Sequence, residues 1–183
     1  MLERFIEDCI AARAESDAHA AVTEVLARAV SDPSAVLVAL GEPSKAALAI
    51  IHRSPTLTIF AATWTPRMSV MPHNHLMWAS IGIYAGREDN ILWKRASCGR
   101  IGSCGAKALF AKDVVALPAD VIHSVTNPLN RFTGGIHIYG ADFFDQPRSQ
   151  WDAESLEEKP LDGSIMSAFY ERENERYRTL HPN

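Results

Sequence analysis

The stretch M-P-H-N-H-L-M-W-A-S-I-G-I-Y, from Met71 to Tyr84, places two histidines two residues apart within an apolar, strand-like run. Side chains at positions i and i+2 of a β-strand project from the same face of the sheet. The spacing therefore predicts that His73 and His75 point into a common space. Taken alone, such a pair fits either two core histidines bonded to backbone carbonyls or part of a metal site.

The sequence on both sides of this stretch alternates apolar and polar residues over short segments bounded by Gly, Pro, Asn and Asp. A period of two is typical of half-buried strands, and many short strands at this spacing predict an all-β sandwich or barrel. We predict a turn at residues 86–89, G-R-E-D. The predicted strands are Val36–Leu40, Ala47–His52, Leu57–Trp64, Met68–Met71, His75–Tyr84, Asn90–Trp93, Ala106–Phe110, Val114–Leu117, Val121–Val125 and Gly134–Tyr139.

The two ends of the chain have a different pattern. Apolar residues recur at helical spacing over residues 2–30, which predicts one or two amphipathic helices with a break near Ala14–Asp17 and a stop at Ser31-Asp32-Pro33. The sequence after Phe144 turns polar and predicts a partly helical tail. We therefore divide the single domain into a helical segment packed on the barrel (1–33), the barrel (34–144) and the C-terminal tail (145–183).

Composition narrows the possible partners. The 183 residues carry 18 Lys and Arg against 22 Asp and Glu, a net charge of −4, without the dense basic cluster typical of proteins that bind nucleic acid or acidic membranes. The N-terminus matches neither a signal peptide nor a spanning helix. Three cysteines, Cys9, Cys98 and Cys104, have no metal-finger spacing and favour free thiols in a reducing compartment. We expect a cytoplasmic protein that binds neither nucleic acid nor membrane.

A third histidine strengthens the metal interpretation. In V-A-L-P-A-D-V-I-H-S-V-T-N, from Val115 to Asn127, His123 follows a proline-containing turn and lies on a predicted strand. An all-β barrel can bring His123 beside the first pair, with all three rings facing inward. Neutral imidazole is a common ligand of iron, nickel, copper and zinc, and three imidazoles leave coordination positions open for chemistry.

The two histidine stretches resemble the paired motifs of the cupin superfamily, whose members are double-stranded β-helix (jelly-roll) barrels. The second motif departs at its two glycines, which are Lys112 and Asp120 here, and the first departs at Ala79, where the family has a glutamate ligand. The positions that match are His73, His75 and Gly86 in the first motif, and Pro118, His123 and Asn127 in the second.

Without that glutamate, the pattern resembles the three-histidine thiol dioxygenases, and cysteine dioxygenase in particular. The run R-F-T-G-G-I-H-I-Y-G is similar to the S-x-H-x-Y segment of that family, in which a serine, a histidine and a tyrosine form a relay beside the iron. His137 and Tyr139 match this segment, and Gly135 replaces the serine. The resemblance implies Fe(II) bound by the three histidines, with nickel or zinc able to replace it after purification, and a small thiol and O₂ as substrates.

Other interpretations remain open at this level. A three-histidine cupin can instead cleave a β-diketone or enolate with O₂, or act as a non-catalytic barrel that binds a small molecule. His137 and Tyr139 are alternatively core residues with no catalytic role. The substrate-binding residues and the oligomeric state are not predicted, because neither His52 nor Arg53 aligns with the arginine that grips the substrate carboxylate in cysteine dioxygenases.

Overall fold

The computed structural model describes residues 1–96 and 99–182. Two helices separated by a break at residues 14–17 are confirmed near the N-terminus. Asp17, Asp32 and Asp162 each accept a hydrogen bond from a backbone N–H in the first turn of the following helix, which satisfies a donor that the helix itself leaves unpaired. In the described ranges the helices are α1 (Leu2–Arg13), α2 (Ala18–Val30), α3 (Pro33–Leu40) and α4 (Gly163–Leu180).

The predicted strand Val36–Leu40 is wrong, because these residues belong to α3. The sequence Asp32-Pro33 begins this helix: Asp32 is its N-cap, and Pro33 occupies the first turn, where a missing N–H costs nothing. The same two residues were expected to stop the preceding helix. They do both, because α2 ends at Val30 and α3 starts three residues later.

The middle of the chain forms two antiparallel sheets. The first sheet has the strand order β1-β2-β9-β4-β7, and the second has the order β11-β10-β3-β8-β5-β6. The strands are β1 (Ala47–Ser54), β2 (Leu57–Trp64), β3 (Ser69–Asn74), β4 (Ala79–Ala85), β5 (Arg87–Arg95), β6 (Ile101–Phe110), β7 (Val114–Leu117), β8 (Ile122–Thr126), β9 (Thr133–Tyr139), β10 (Ser149–Trp151) and β11 (Glu158–Pro160).

The predicted all-β double-stranded β-helix is confirmed, with helices at both ends of the chain. Sequence neighbours such as β3 and β4 lie in opposite sheets, which is the arrangement of a jelly roll. Among the described strands, no backbone pairing joins the two sheets into a closed barrel. The architecture is therefore a two-sheet jelly roll, whose interior lies between the sheets.

The first sheet is covered on both faces. On β2, Phe60 faces the second sheet, whereas Ile59 faces α1 and α2. On β9, Ile136 and Ile138 face the helices, so His137 between them points into the interior. Helices on one side and the second sheet on the other explain why every residue of β9 is buried.

Two of the cysteines are described. Cys9 is a buried residue of α1, Cys104 is exposed on β6, and both are free thiols. Burial raises the pKa of the Cys9 thiol to about 12, which makes it a packing residue rather than a nucleophile. Cys98, the third predicted free thiol, lies outside the described residues.

No helix within residues 1–96 and 99–182 has both the length and the apolar character needed to cross a membrane.

Candidate metal centre

The three predicted metal-binding histidines lie together in the interior. His73 on β3 and His123 on β8 are direct cross-strand partners, so their side chains project from the same face of the second sheet. His75 comes directly after the last residue of β3. The sequence had placed it within a strand, which is wrong. The ring centroids are 4.6 Å apart for His73 and His123 and 4.8 Å apart for His75 and His123.

The nitrogen positions fit the requirements of one ion. Nε2 of His75 lies 3.1 Å from Nε2 of His123, and one ligand nitrogen of each of the three rings lies within 4.8 Å of the others. Two nitrogens bound at roughly 2.1 Å to the same ion and about a right angle apart are separated by about 3.0 Å. Nδ1 of His73 lies 3.0 Å from the carbonyl oxygen of Met71, which leaves its Nε2 free to bind an ion.

The three rings are neutral at physiological pH. Burial lowers the pKa of His73 to about 4 and lowers the pKa values of His75 and His123 well below the ordinary value. A neutral imidazole offers a lone pair, so an ion does not have to displace a second proton from each ring. Among the residues that the structure describes, this is the one group of His, Cys, Asp and Glu with metal-binding spacing.

His137 and Tyr139 lie on the same inward face of β9, as predicted. Nδ1 of His137 is 3.3 Å from the hydroxyl oxygen of Tyr139, and the Tyr139 ring lies edge-on to His75 with a centroid distance of 4.9 Å. Burial raises the pKa of Tyr139 well above its ordinary value, so the hydroxyl keeps its proton. The pair therefore places a neutral O–H group beside the histidine cluster.

Two polar residues of β5 could not be recognised as site residues from the sequence alone. Residues 86–89 were predicted as a turn, but β5 begins at Arg87, so Glu88 and Asn90 project inward from a strand. Glu88 accepts hydrogen bonds from Trp64 Nε1 at 2.8 Å and Asn90 Nδ2 at 3.0 Å. The sequence signal for this strand was the alternation in R-E-D-N. Arg87 and Asp89 pair with each other on the outer face, which leaves Glu88 and Asn90 on the inner face.

Arg148, which follows the predicted barrel, was likewise not predicted as a site residue. Its guanidinium stacks on Phe143, 3.7 Å from the ring centroid, and its buried Nε has no hydrogen-bond partner in the described part of the chain. Burial lowers the pKa of Arg148, and the proximity of Tyr139 opposes this effect. Arg148 thus brings to the site a cation that has no carboxylate partner within residues 1–96 and 99–182.

A cavity of about 420 Å³ lies beside the histidine cluster and reaches Tyr139 and Arg148. Its polar lining includes two of the three clustered histidines, and its apolar lining includes aromatic side chains of the first sheet and residues of α4. Arg53, one of the two residues near the expected clamp position, instead pairs with Asp142 on the surface. A small molecule in this cavity could contact His73, His123, His137, Tyr139 and Arg148, which all line it.

No family model matches the chain. Solved structures with a similar chain path include an RmlC-like cupin family protein with a double-stranded β-helix fold from Methanocaldococcus jannaschii, at 10% identity and a TM-score of 0.47 over 56% of this chain and 85% of that one. A Bacillus halodurans protein matches at 15% identity and a TM-score of 0.47 over 54% and 72% of the two chains.

An uncharacterised conserved protein with a double-stranded β-helix domain from Klebsiella pneumoniae matches at 10% identity and a TM-score of 0.44 over 55% of this chain and 76% of that one. These likenesses concern the general chain path of about half of the protein. Reaction and substrate must therefore be inferred from the site itself.

Proposed function

We propose that this protein is a non-haem Fe(II)-dependent dioxygenase that oxidises a small thiol to its sulfinic acid with O₂. The observation that supports this most directly is the arrangement of three converging neutral histidines beside the His137–Tyr139 pair, with one cavity lined by His73, His123 and both members of that pair. A barrel that only bound a small molecule would give no reason to place a buried tyrosine hydroxyl beside such a cluster.

His73, His75 and His123 would hold the ion. Fe(II) would supply O₂ activation and a coordination position for the thiolate. Zn(II) or Ni(II) in a purified sample could occupy the same histidine site without the same redox chemistry. The net reaction joins both oxygen atoms to sulfur: the thiol sulfur loses four electrons and O₂ gains four, so no other reductant is needed.

Arg148 would bind the substrate's acidic group. Its guanidinium faces the cavity that His73 and Tyr139 also line, and it is held in place by its stacking on Phe143. A guanidinium recognises a planar carboxylate through paired hydrogen bonds, so a partly buried arginine with no carboxylate partner among the described residues favours an anionic ligand. We therefore infer a small thiol that carries a carboxylate.

Tyr139 would position the reacting groups. With its proton retained, its hydroxyl can donate one hydrogen bond at the edge of the histidine cluster while His137 limits the directions in which the O–H group points. Phe60, Trp64 and Phe143 line the same cavity and give it an apolar wall. A preorganised hydrogen bond in such a site acts on charge that develops during the reaction.

The test is O₂ consumption by the Fe(II)-loaded protein with cysteine, 3-mercaptopropionate, cysteamine and a β-diketone, with the sulfinate identified by mass. We expect uptake with a carboxylate-bearing thiol and a fall in kcat on the order of 10²-fold in Tyr139→Phe. The matched control is Tyr84→Phe, because Tyr84 is also buried but lies in the layer between the first sheet and the helices.

Each other outcome assigns the site differently. Uptake with the diketone alone would replace the thiol dioxygenase by a diketone- or enolate-cleaving enzyme. Bound iron without O₂ uptake for any compound would favour a non-catalytic binding protein.

A further inference from the structure

Glu88 is a charged residue with no exposed surface, and Trp64, Asn90 and His137 lie within hydrogen-bond distance of its carboxylate. Oε2 accepts from Trp64 Nε1 and lies 3.3 Å from Nε2 of His137, while Oε1 accepts from Asn90 Nδ2. Burial raises the pKa of Glu88, but the proximity of His137 and the hydrogen bonds from Asn90 and Trp64 outweigh burial and hold the pKa below its ordinary value. Glu88 is therefore an ionised carboxylate inside the jelly roll.

The contact of Glu88 with Asn90 determines the orientation of the Asn90 amide. A carboxylate only accepts hydrogen bonds, so the Asn90 atom that faces Glu88 must be Nδ2. The other amide atom, Oδ1, then lies 2.7 Å from Nδ1 of His123. Because a carbonyl oxygen also only accepts, Nδ1 of His123 carries the proton, and its Nε2 lone pair faces His75 and the interior.

The proximity of Glu88 to His137 determines which nitrogen of that ring carries the proton. The buried Nε2 of His137 lies 3.3 Å from Oε2 of Glu88 without the alignment of a regular hydrogen bond, and it has no hydrogen-bond partner among the described residues. Proximity to the carboxylate favours the proton on Nε2, which in the neutral ring leaves Nδ1 as an acceptor for the Tyr139 hydroxyl. Gly135 replaces the serine of the S-x-H-x-Y pattern. A Cβ at Gly135 would lie 3.3 Å from Nε2 of His137.

We propose that Glu88 is a positioning residue that sets the proton positions of two histidines on opposite sides of the site, His123 through Asn90 and His137 directly. One buried carboxylate would thereby hold a lone pair toward the metal position and, at the same time, keep the Tyr139 hydroxyl oriented by His137. Glu88 does not belong to the metal-binding group, so it acts through these two residues. The consequence for turnover rests on the proposed function, whereas the proton positions are a property of the folded chain.

The sharpest variant is Glu88→Gln, which keeps the shape but replaces one oxygen by an NH₂ group. If the amide oxygen faces Trp64 and His137, the NH₂ group faces Asn90 and forces its amide to turn, which moves the proton of His123 to Nε2. If the amide is turned the other way, its NH₂ group faces His137 and the proton of that ring moves to Nδ1. Either orientation changes the tautomer of at least one of the two histidines.

Two-bond ¹H–¹⁵N correlations of ¹⁵N-histidine-labelled protein report these tautomers, first without metal and then with diamagnetic Zn(II). We expect wild-type His123 to be protonated at Nδ1 and His137 at Nε2, with one of them changed in Glu88→Gln. Trp64→Phe is the control, because it removes a donor to Glu88 but keeps the carboxylate. Wild-type tautomers at both rings in folded Glu88→Gln would overturn the proposal.

A second variant covers the case in which Glu88→Gln does not fold. Asn90→Ala removes the acceptor of His123 and should release the His123 tautomer while leaving that of His137 unchanged. An unchanged His123 in this variant would also overturn the proposal. Because the tautomers are read without iron or turnover, a failure of the dioxygenase assay leaves this result interpretable by itself.

Discussion

His73 and His123 face each other as direct partners across the β3–β8 pairing, although fifty residues of sequence separate them. Their rings, 4.6 Å apart, project from one face of the second sheet, so these two candidate ligands are held by paired strands. An ion bound between them would link β3 to β8. Binding to the folded state alone raises the free energy of unfolding, so thermal stability should rise with metal concentration.

Arg148 should determine which thiols are accepted. Replacing it with methionine removes a charge-assisted hydrogen bond and should lower kcat/KM for 3-mercaptopropionate roughly 10- to 100-fold, while leaving cysteamine, which has no carboxylate, little changed. Steady-state O₂ consumption with both thiols measures this difference. Arg53→Met is the matched control, because Arg53 pairs with Asp142 on the surface. An equal loss for the two thiols would argue against a carboxylate contact.

Gly82 should be needed for the packing of α2 on the first sheet. A Cβ at this position would lie 2.9 Å from Cγ of Leu26 and 3.1 Å from Cγ1 of Val30, both of them buried. Gly82→Ala should therefore lower the free energy of unfolding by roughly 1–3 kcal/mol, as overpacking usually does, measured by urea denaturation. Gly102→Ala, whose Cβ meets nothing within 4 Å, should change it by no more than about 0.5 kcal/mol. Equal stabilities for the two variants would refute the close contact.

Glu158 should make the stability of the chain depend on acid pH. Its hydrogen bonds to Arg95 lower the pKa of Glu158 from 4.5 to about 2, and they tie β11 to the end of β5. A lowered folded pKa stabilises the protein above the unfolded pKa, and this contribution is lost as the pH falls toward 2. Glu158→Gln should cost about 1 kcal/mol or less at neutral pH, because the pair is largely exposed.

The cost of Glu158→Gln should shrink between about pH 5 and pH 3, as measured by urea unfolding at each pH. Glu157→Gln is the control, because Glu157 is the adjacent residue and its carboxylate is not part of the Arg95–Glu158 pair. A cost that stays constant over this range would show that the ion pair does not contribute to stability.

Most of the strands could be predicted from alternation alone, because one face of each meets a core. The bounds of β2 and β7 match the predicted ranges residue for residue. Helix α3 could not be distinguished in this way, because a short apolar run such as Val36–Leu40 fits a buried strand or a buried helix turn equally well. Its Asp-Pro start is the local signal that decides between the two.

The histidines of the site were found from spacing, but their polar neighbours were not. Burial of Glu88 depends on Trp64 and His137, which lie 24 and 49 positions away along the chain, so no local pattern distinguishes it from a turn residue. Arg148 escaped notice for a similar reason, since it follows a polar stretch and reaches the cavity only because β10 pairs with β3. Buried charges are identified by partners, and partners are a property of the fold.

The central claim is that His73, His75 and His123 bind one divalent ion. The most direct measurement is the metal content of protein reconstituted anaerobically with Fe(II) and freed of excess ion, compared for wild type, His123→Ala and His181→Ala. We predict one ion per chain for the wild type and for His181→Ala, which changes an exposed residue of the tail, and almost none for folded His123→Ala. Full retention of iron by His123→Ala would contradict the account.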